Sequence, residues 1–204
     1  MDRITKEQSK QLKAVSNAFT CTGLYAVLIM SGLKRVENRS MMPVPAKGRC
    51  AMSVSKKFCR AEYDNLIAWL AANCDPAVLS KVLPWDEVKS WPGCIVATMD
   101  YEAYTYVPDD AAIARECRIW NEGYGNWWLL SGIRRLPAPV PCRGNVGMWR
   151  LEDELARQID GLASPRTPSS GGMWSEVEGL CFESCRRWFG IMRDGFSAVQ
   201  GWLI

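Results

Sequence analysis

Between Gly32 and Arg39 the chain reads Gly-Leu-Lys-Arg-Val-Glu-Asn-Arg, a G-x-K-x-x-E-x-R pattern that places the Lys34 ammonium, the Glu37 carboxylate and the Arg39 guanidinium close together in sequence. If this stretch runs extended, Lys34 and Glu37 fall on opposite faces; a turn between them brings them together. Paired, they form an acid/base couple that could move a proton. Beside Arg39 they could instead hold a phosphate or polarise a carbonyl. The same residues would also make an ordinary surface ion-pair network, which contributes little to stability. The chain contains no histidine. That excludes Ser-His-Asp and Cys-His nucleophile systems, a histidine base and His-ligated zinc, and leaves carboxylate, lysine, cysteine, tyrosine or threonine chemistry.

The motif opens a strongly basic stretch. Lys34, Arg35, Arg39, Lys47, Arg49, Lys56, Lys57 and Arg60 are opposed only by Glu37, a net +7 over residues 34–60 within a chain of net charge +3. Basic side chains on loops beside aromatics are the electrostatic footprint of a phosphate backbone. Tyr25, Trp120 and Tyr124 fall near expected cleft edges, where a stacked base contributes ~1–3 kcal/mol. Trp127, Trp128 and Trp149 fall in expected strands and read as core.

Nine cysteines are scattered at positions 21, 50, 59, 74, 94, 117, 142, 181 and 185. An odd count without any C-x-x-C pair gives no zinc framework, and most of these thiols sit in apolar runs where cysteine packs as a small hydrophobe. Reduced thiols suggest a cytoplasmic or nuclear protein. No metal site and no cofactor is expected. The apolar run Ala18–Leu33 follows a basic N-terminus but is interrupted by Thr20, Thr22, Gly23 and Ser31. It is shorter than the ~20 residues that span a bilayer, so it reads as a buried helix and no membrane association is expected.

These groups must be positioned by a modest set of elements. Residues 1–17 are a polar lead-in. A short helix is expected over about Thr22–Leu33, stopped at Gly32. Pro43, Pro45 and Gly48 make 39–53 a loop that feeds a strand over Arg49–Val54. Residues 60–73 space Tyr63, Leu66, Ile67 and Leu70 as a helix does. Gly93–Tyr106 reads as a buried strand, 109–118 as a charged helical patch, and Asn126–Ser131 as a central strand. Val140–Leu151 reads as a strand, a Gly144-Asn145 turn and a closing strand, followed by a polar helix over 152–160. Strands with a few helices and no regular alternation indicate an α+β fold, a small mixed β-barrel with flanking helices. The domain covers 18–160. Residues 161–173 form a Pro/Ser/Gly linker, and 174–204 an amphipathic helix with Trp174, Val177, Cys181, Trp188 and Met192 at near-helical spacing.

The motif after a short apolar helix resembles the signature of the ASCH (activating signal cointegrator homology) domains of the PUA-like superfamily. The likeness continues, in order, through Lys47-Gly-Arg49, Ser53-Val-Ser-Lys-Lys57, Gly93-Cys-Ile-Val-Ala-Thr-Met-Asp100, Trp128-Leu-Leu130, Pro141-Cys-Arg-Gly144 and Gly147-Met-Trp149. In the helix, Gly23-Leu-Tyr-Ala26 stands where family members often have Gln-Pro-Trp-Ala, with Tyr25 as aromatic stand-in. The resemblance implies a PUA-like barrel whose cleft takes single-stranded RNA or a modified base. Lys34, Arg39, Lys47, Arg49, Ser55, Lys56 and Lys57 would then contact nucleic acid, Tyr25 would stack, and Glu37 would accept hydrogen bonds from a base or orient Lys34. A related bacterial deacetylase of N4-acetylcytidine has a catalytic lysine at the position of Lys34 and a threonine at that of Glu37. The leading expectation is RNA or other nucleic-acid binding. The alternatives are a hydrolase of RNA or a modified nucleoside with Lys34 and Glu37 as the catalytic pair, and an adaptor docking a protein partner through residues 174–204.

Overall fold

The computed structural model describes residues 14–105 and 125–163; the expected helices over 109–118 and 174–204, with Trp120, Tyr124 and most of the linker, lie outside them. The described chain is a mixed α/β fold. Its strands are β1 (Asn17–Cys21), β2 (Val36–Arg39), β3 (Lys47–Val54), β4 (Cys94–Tyr104), β5 (Asn126–Pro141) and β6 (Met148–Arg150). Its helices are α1 (Gly23–Met30), α2 (Arg60–Asn73), the one-turn α3 (Pro76–Leu79) and α4 (Trp85–Val88), and α5 (Asp153–Leu162). The six strands form one sheet in the order β2-β5-β4-β3-β1-β6, with β1 and β3 parallel and the other pairs antiparallel.

The sheet curls into half a barrel. Four strand spacings separate β2 from β1, about 19 Å if the sheet were flat, yet an Arg39 Nη2 proton is donated to the Thr20 carbonyl across 2.6 Å. Register shifts at Met52/Ser53, Ile95/Ala97 and Thr98/Asp100 supply the bending. On the inner face the rings of Phe19 and Trp128 meet edge-on at 5.9 Å. They join Met52, Met99 and Tyr101 in a core that α1 and α2 cover with Leu24, Leu28, Leu66 and Leu70. The outer face packs Ala18, Ala51, Ile95, Leu136 and Val140 against Ile159 of α5. Val15, which the sequence placed in the polar lead-in, is buried there and its amide donates to the Asp160 carboxylate at 3.1 Å.

Three expectations are corrected. The run Ala18–Leu33 is not a single helix: its first residues form β1, and Thr22 caps the helix that follows by accepting from the Tyr25 amide at 3.5 Å. Asn17–Cys21 instead joins a parallel ladder with β3. Nor do the two strands within 140–151 form a hairpin, because β5 pairs with β4 whereas β6 pairs with β1. The Gly144-Asn145 segment is a crossing between distant strands rather than a tight turn. The loop expected over 39–53 is shorter, since β2 ends at Arg39 and β3 begins at Lys47.

Candidate nucleic-acid interface

Helix α1 is apolar on nearly every side because it is buried on nearly every side. Gly23 begins it for a steric reason: a Cβ there would stand 1.9 Å from the Phe58 ring. At its other end Gly32 takes φ 72, and the Leu33 and Lys34 amides both turn back to the Leu28 carbonyl at 2.9 and 3.2 Å. This closure delivers Lys34 to the interior immediately before β2. The chain then bends: the Lys34 ammonium donates to the Val36 carbonyl and lies 4.9 Å from the Tyr25 ring centroid. Of the two geometries open to the motif, the turned one is realised.

Glu37 sits opposite Trp128 in the β2–β5 ladder and so faces the inner side of the curl. Its Oε2 is 3.6 Å from Lys34 Nζ, and its Oε1 accepts from Arg39 Nη2 at 2.8 Å. Lys34 is 1% exposed and Glu37 4%. Arg39 stacks its guanidinium near Phe19 and Trp128, at 5.5 and 5.7 Å from the ring centroids, and remains 21% exposed. Two cations thus share one carboxylate, and of the three charged groups Arg39 is the one that solvent reaches. Two polar atoms there are buried with no hydrogen-bond partner among the described residues, Glu37 Oε2 and Arg39 Nε; Thr20 Oγ1, also without one, points to the other face of β1 beneath Gly144. A carboxylate oxygen left unfilled between two cations can accept a hydrogen bond from an N–H donor of a ligand.

The rim of this opening is built by two loops. The β2–β3 loop is tied at both ends, by Asn126 Nδ2 donating to the Arg39 and Ser40 carbonyls and by Tyr101 Oη donating to the Pro45 carbonyl. Residues 142–147 pass over Thr20, and a Cβ on Gly144 would stand 2.5 Å from Thr20 Oγ1. The two loops approach each other where Met41 Cε lies 3.4 Å from the place of a Gly147 Cβ. Met41, Val44 and Val146 are exposed along this rim.

Of the sequence-predicted residues, Tyr25, Lys34, Glu37 and Arg39 come together. The others do not join them. Arg49 alternates with the inward-facing Cys50, so it lies on the outer face, where Nη2 donates to Thr98 Oγ1 at 3.1 Å. Lys47 is exposed and paired with Glu102 at 2.5 Å. That contact raises the lysine pKa, chiefly through the hydrogen bond, and lowers that of the carboxyl. Ser55 begins the turn into α2, its amide donating to the Cys21 carbonyl and its Oγ accepting from the Lys57 amide at 3.4 Å. Lys56 and Lys57 are exposed on that turn.

Sequence reading missed Thr20, Asn126 and the part played by Trp128. Strand parity would have found Trp128 once β5 was registered on β2; Thr20 and Asn126 carry no local signal. No cluster of ligating side chains suited to a metal ion occurs among the described residues, and no described helix is long and apolar enough to cross a membrane. Cys21, Cys50, Cys59, Cys74, Cys94 and Cys142 form no disulfide among the described residues. No protein-family model matches the chain, and no curated protein matches it in sequence.

Proposed function

We propose that the protein binds RNA, or single-stranded nucleic acid more broadly, with an unpaired base entering the opening beside Arg39. The observation that carries this reading is the buried Glu37 carboxylate held between Lys34 and Arg39 with Oε2 free of hydrogen bonds. Base amides and amino groups are N–H donors of the type such an oxygen accepts, and Tyr25 and Arg39 offer flat surfaces beside it. The excess positive charge over residues 34–60 supplies attraction for the backbone. The curled sheet with the motif's three charged groups gathered inside it supports an ASCH-type, PUA-like assignment.

Fluorescence anisotropy with single-stranded RNA, duplex RNA and single-stranded DNA over a salt series tests this. Binding to a single strand should weaken steeply with salt and be abolished by Arg39→Glu, with the fold retained by circular dichroism. Equal binding by wild type and Arg39→Glu would overturn the reading. A second reading, hydrolysis of RNA or of a modified nucleoside, is favoured by one distance: the 3.6 Å between Lys34 Nζ and Glu37 Oε2 puts an acid/base pair within reach of one ligand atom. Product formation lost in both Lys34→Met and Glu37→Gln would select it over binding alone.

A further inference from the structure

A surface depression of ≈ 750 Å³ lies at the end of the sheet where β3 stops, β4 starts and β5 stops. Lys56 and Arg143 line it together with Gly93 and two thiols, Cys94 and Cys142, and none of its lining residues is acidic. Six exposed cations elsewhere are neutralised within the fold: Lys47, Arg60, Lys89, Arg135, Arg150 and Arg157 each pair with a carboxylate, whereas Lys57 and Lys81 are exposed without an ion pair among the described residues but do not line the depression. Lys56 and Arg143 have no ion pair among the described residues. Two unneutralised cations of different type converge on one concavity, a point charge and a planar fork, which together suit a phosphate.

The depression is joined to the Glu37 site by a short polar path. Cys142 Sγ is 3.4 Å from Ser53 Oγ. Ser53 pairs with Thr20 in the β1–β3 ladder, Gly144 closes over both, and the Thr20 carbonyl accepts from Arg39. Gly144 matters here because any side chain would meet Thr20 and lift the loop that carries Arg143. We propose that Lys56 and Arg143 form a phosphate subsite in this depression. Resting on the nucleic-acid reading above, it takes a backbone phosphate adjoining the nucleotide whose base faces Glu37. Arg143 lies outside the basic segment of the sequence and is the new element of the interface.

The two thiols make the occupant visible without a label. Cys94 and Cys142 line the depression, whereas Cys59 is exposed at the start of α2 and serves as internal control. Burial raises the pKa of both lining thiols, so iodoacetamide labelling is run in mildly alkaline buffer and read peptide by peptide. A single-stranded oligonucleotide should slow labelling at Cys94 and Cys142 and leave Cys59 unchanged. In Lys56→Ala/Arg143→Gln this protection should vanish, and the slope of log K against log salt should fall by about 0.7, one single-strand phosphate contact. Arg143→Lys should restore part of the slope. Oligonucleotide binding with unchanged thiol labelling and an unchanged slope in the double variant would overturn the subsite while leaving the function standing. If no oligonucleotide binds, the function fails, and labelling with inorganic phosphate or a nucleoside monophosphate decides the subsite. Protection by either that is lost in the double variant keeps it as a site for small phosphates. No protection refutes it.

Discussion

The interior ion cluster makes an asymmetric prediction about stability. Removing the Glu37 charge with Glu37→Gln keeps the side-chain shape but leaves Lys34 and Arg39 facing one another with no anion. At 3.6 Å and an effective dielectric of about 20, the Lys34–Glu37 attraction is about 4–5 kcal/mol. Breaking a buried pair by deleting one partner costs about 3–5 kcal/mol, because the remaining charge stays desolvated. Arg39 is 21% exposed, so its share of the loss is softened by water. Glu37→Gln should therefore destabilise by about 3–4 kcal/mol. Lys34→Met leaves a balanced Glu37–Arg39 pair at 2.8 Å and fills the volume of the lysine stem, so its cost should be about 1–2 kcal/mol. The double variant should be no less stable than Glu37→Gln alone, giving a coupling of about 1–3 kcal/mol. Urea unfolding at neutral pH measures all four corners of the cycle through the shift in Cm at unchanged m. A Glu37→Gln cost below about 1 kcal/mol, the range of solvent-exposed pairs, would refute the reasoning, as would Lys34→Met proving the more damaging change.

Two further outcomes follow from the loops and the surface. Gly144→Ala puts a methyl 2.5 Å from Thr20 Oγ1, and overpacking of this kind costs about 1–3 kcal/mol. Adding Thr20→Ala should recover most of that loss in thermal unfolding, and a lack of recovery would separate the loop from Thr20. The Lys47–Glu102 pair is exposed and should be worth less than about 1 kcal/mol at pH 7. The carboxyl pKa is held below its usual 4.5, so this contribution is present above that value and fades as pH falls through the lowered one. The lysine pKa is held above 10.5, so the contribution is also lost as pH rises through the raised value. Lys47→Ala should accordingly differ from wild type only between these limits, with the difference shrinking in high salt.

What could be read from the sequence was what neighbouring residues decide. Helix α2 occupies the residues that Tyr63, Leu66 and Leu70 marked, and β4 lies inside the stretch begun by Pro92-Gly93. The closure of α1 at Gly32 was also legible, whereas the convergence of Lys34, Glu37 and Arg39 was only one of two geometries the motif left open. The unread parts depend on partners far along the chain. Strand β2 is four residues of mixed polarity and exists because β5 pairs with it. Strand β6 looked like the second arm of a hairpin, but its partner is β1. Charge counting over residues 34–60 treated Lys47, Arg49 and Lys56 as equivalent. The fold neutralises the first with Glu102, turns the second to the outer face beside Thr98, and leaves the third with Arg143. The same sheet parity that separates Arg49 from Glu37 explains why linear density of charge overstated the size of the interface.

The energetics of the cluster bear on its purpose. Apolar residues of similar volume would fill the space around Lys34 and Glu37 at equal or greater stability, since desolvation offsets most of the attraction within a buried ion pair. The arrangement here is less favourable still, because two cations share one anion, and a buried carboxylate acceptor and a buried guanidinium donor lack hydrogen-bond partners among the described residues. A ligand bringing N–H donors to Glu37 and negative charge to the Arg39 side completes each of these at once. The phosphate proposed for Lys56 and Arg143 lies along the polar path that begins at the Arg39–Thr20 contact. An apolar or cationic ligand would complete neither. The chemistry of the unfilled groups, more than the amount of positive charge, supports the nucleic-acid proposal.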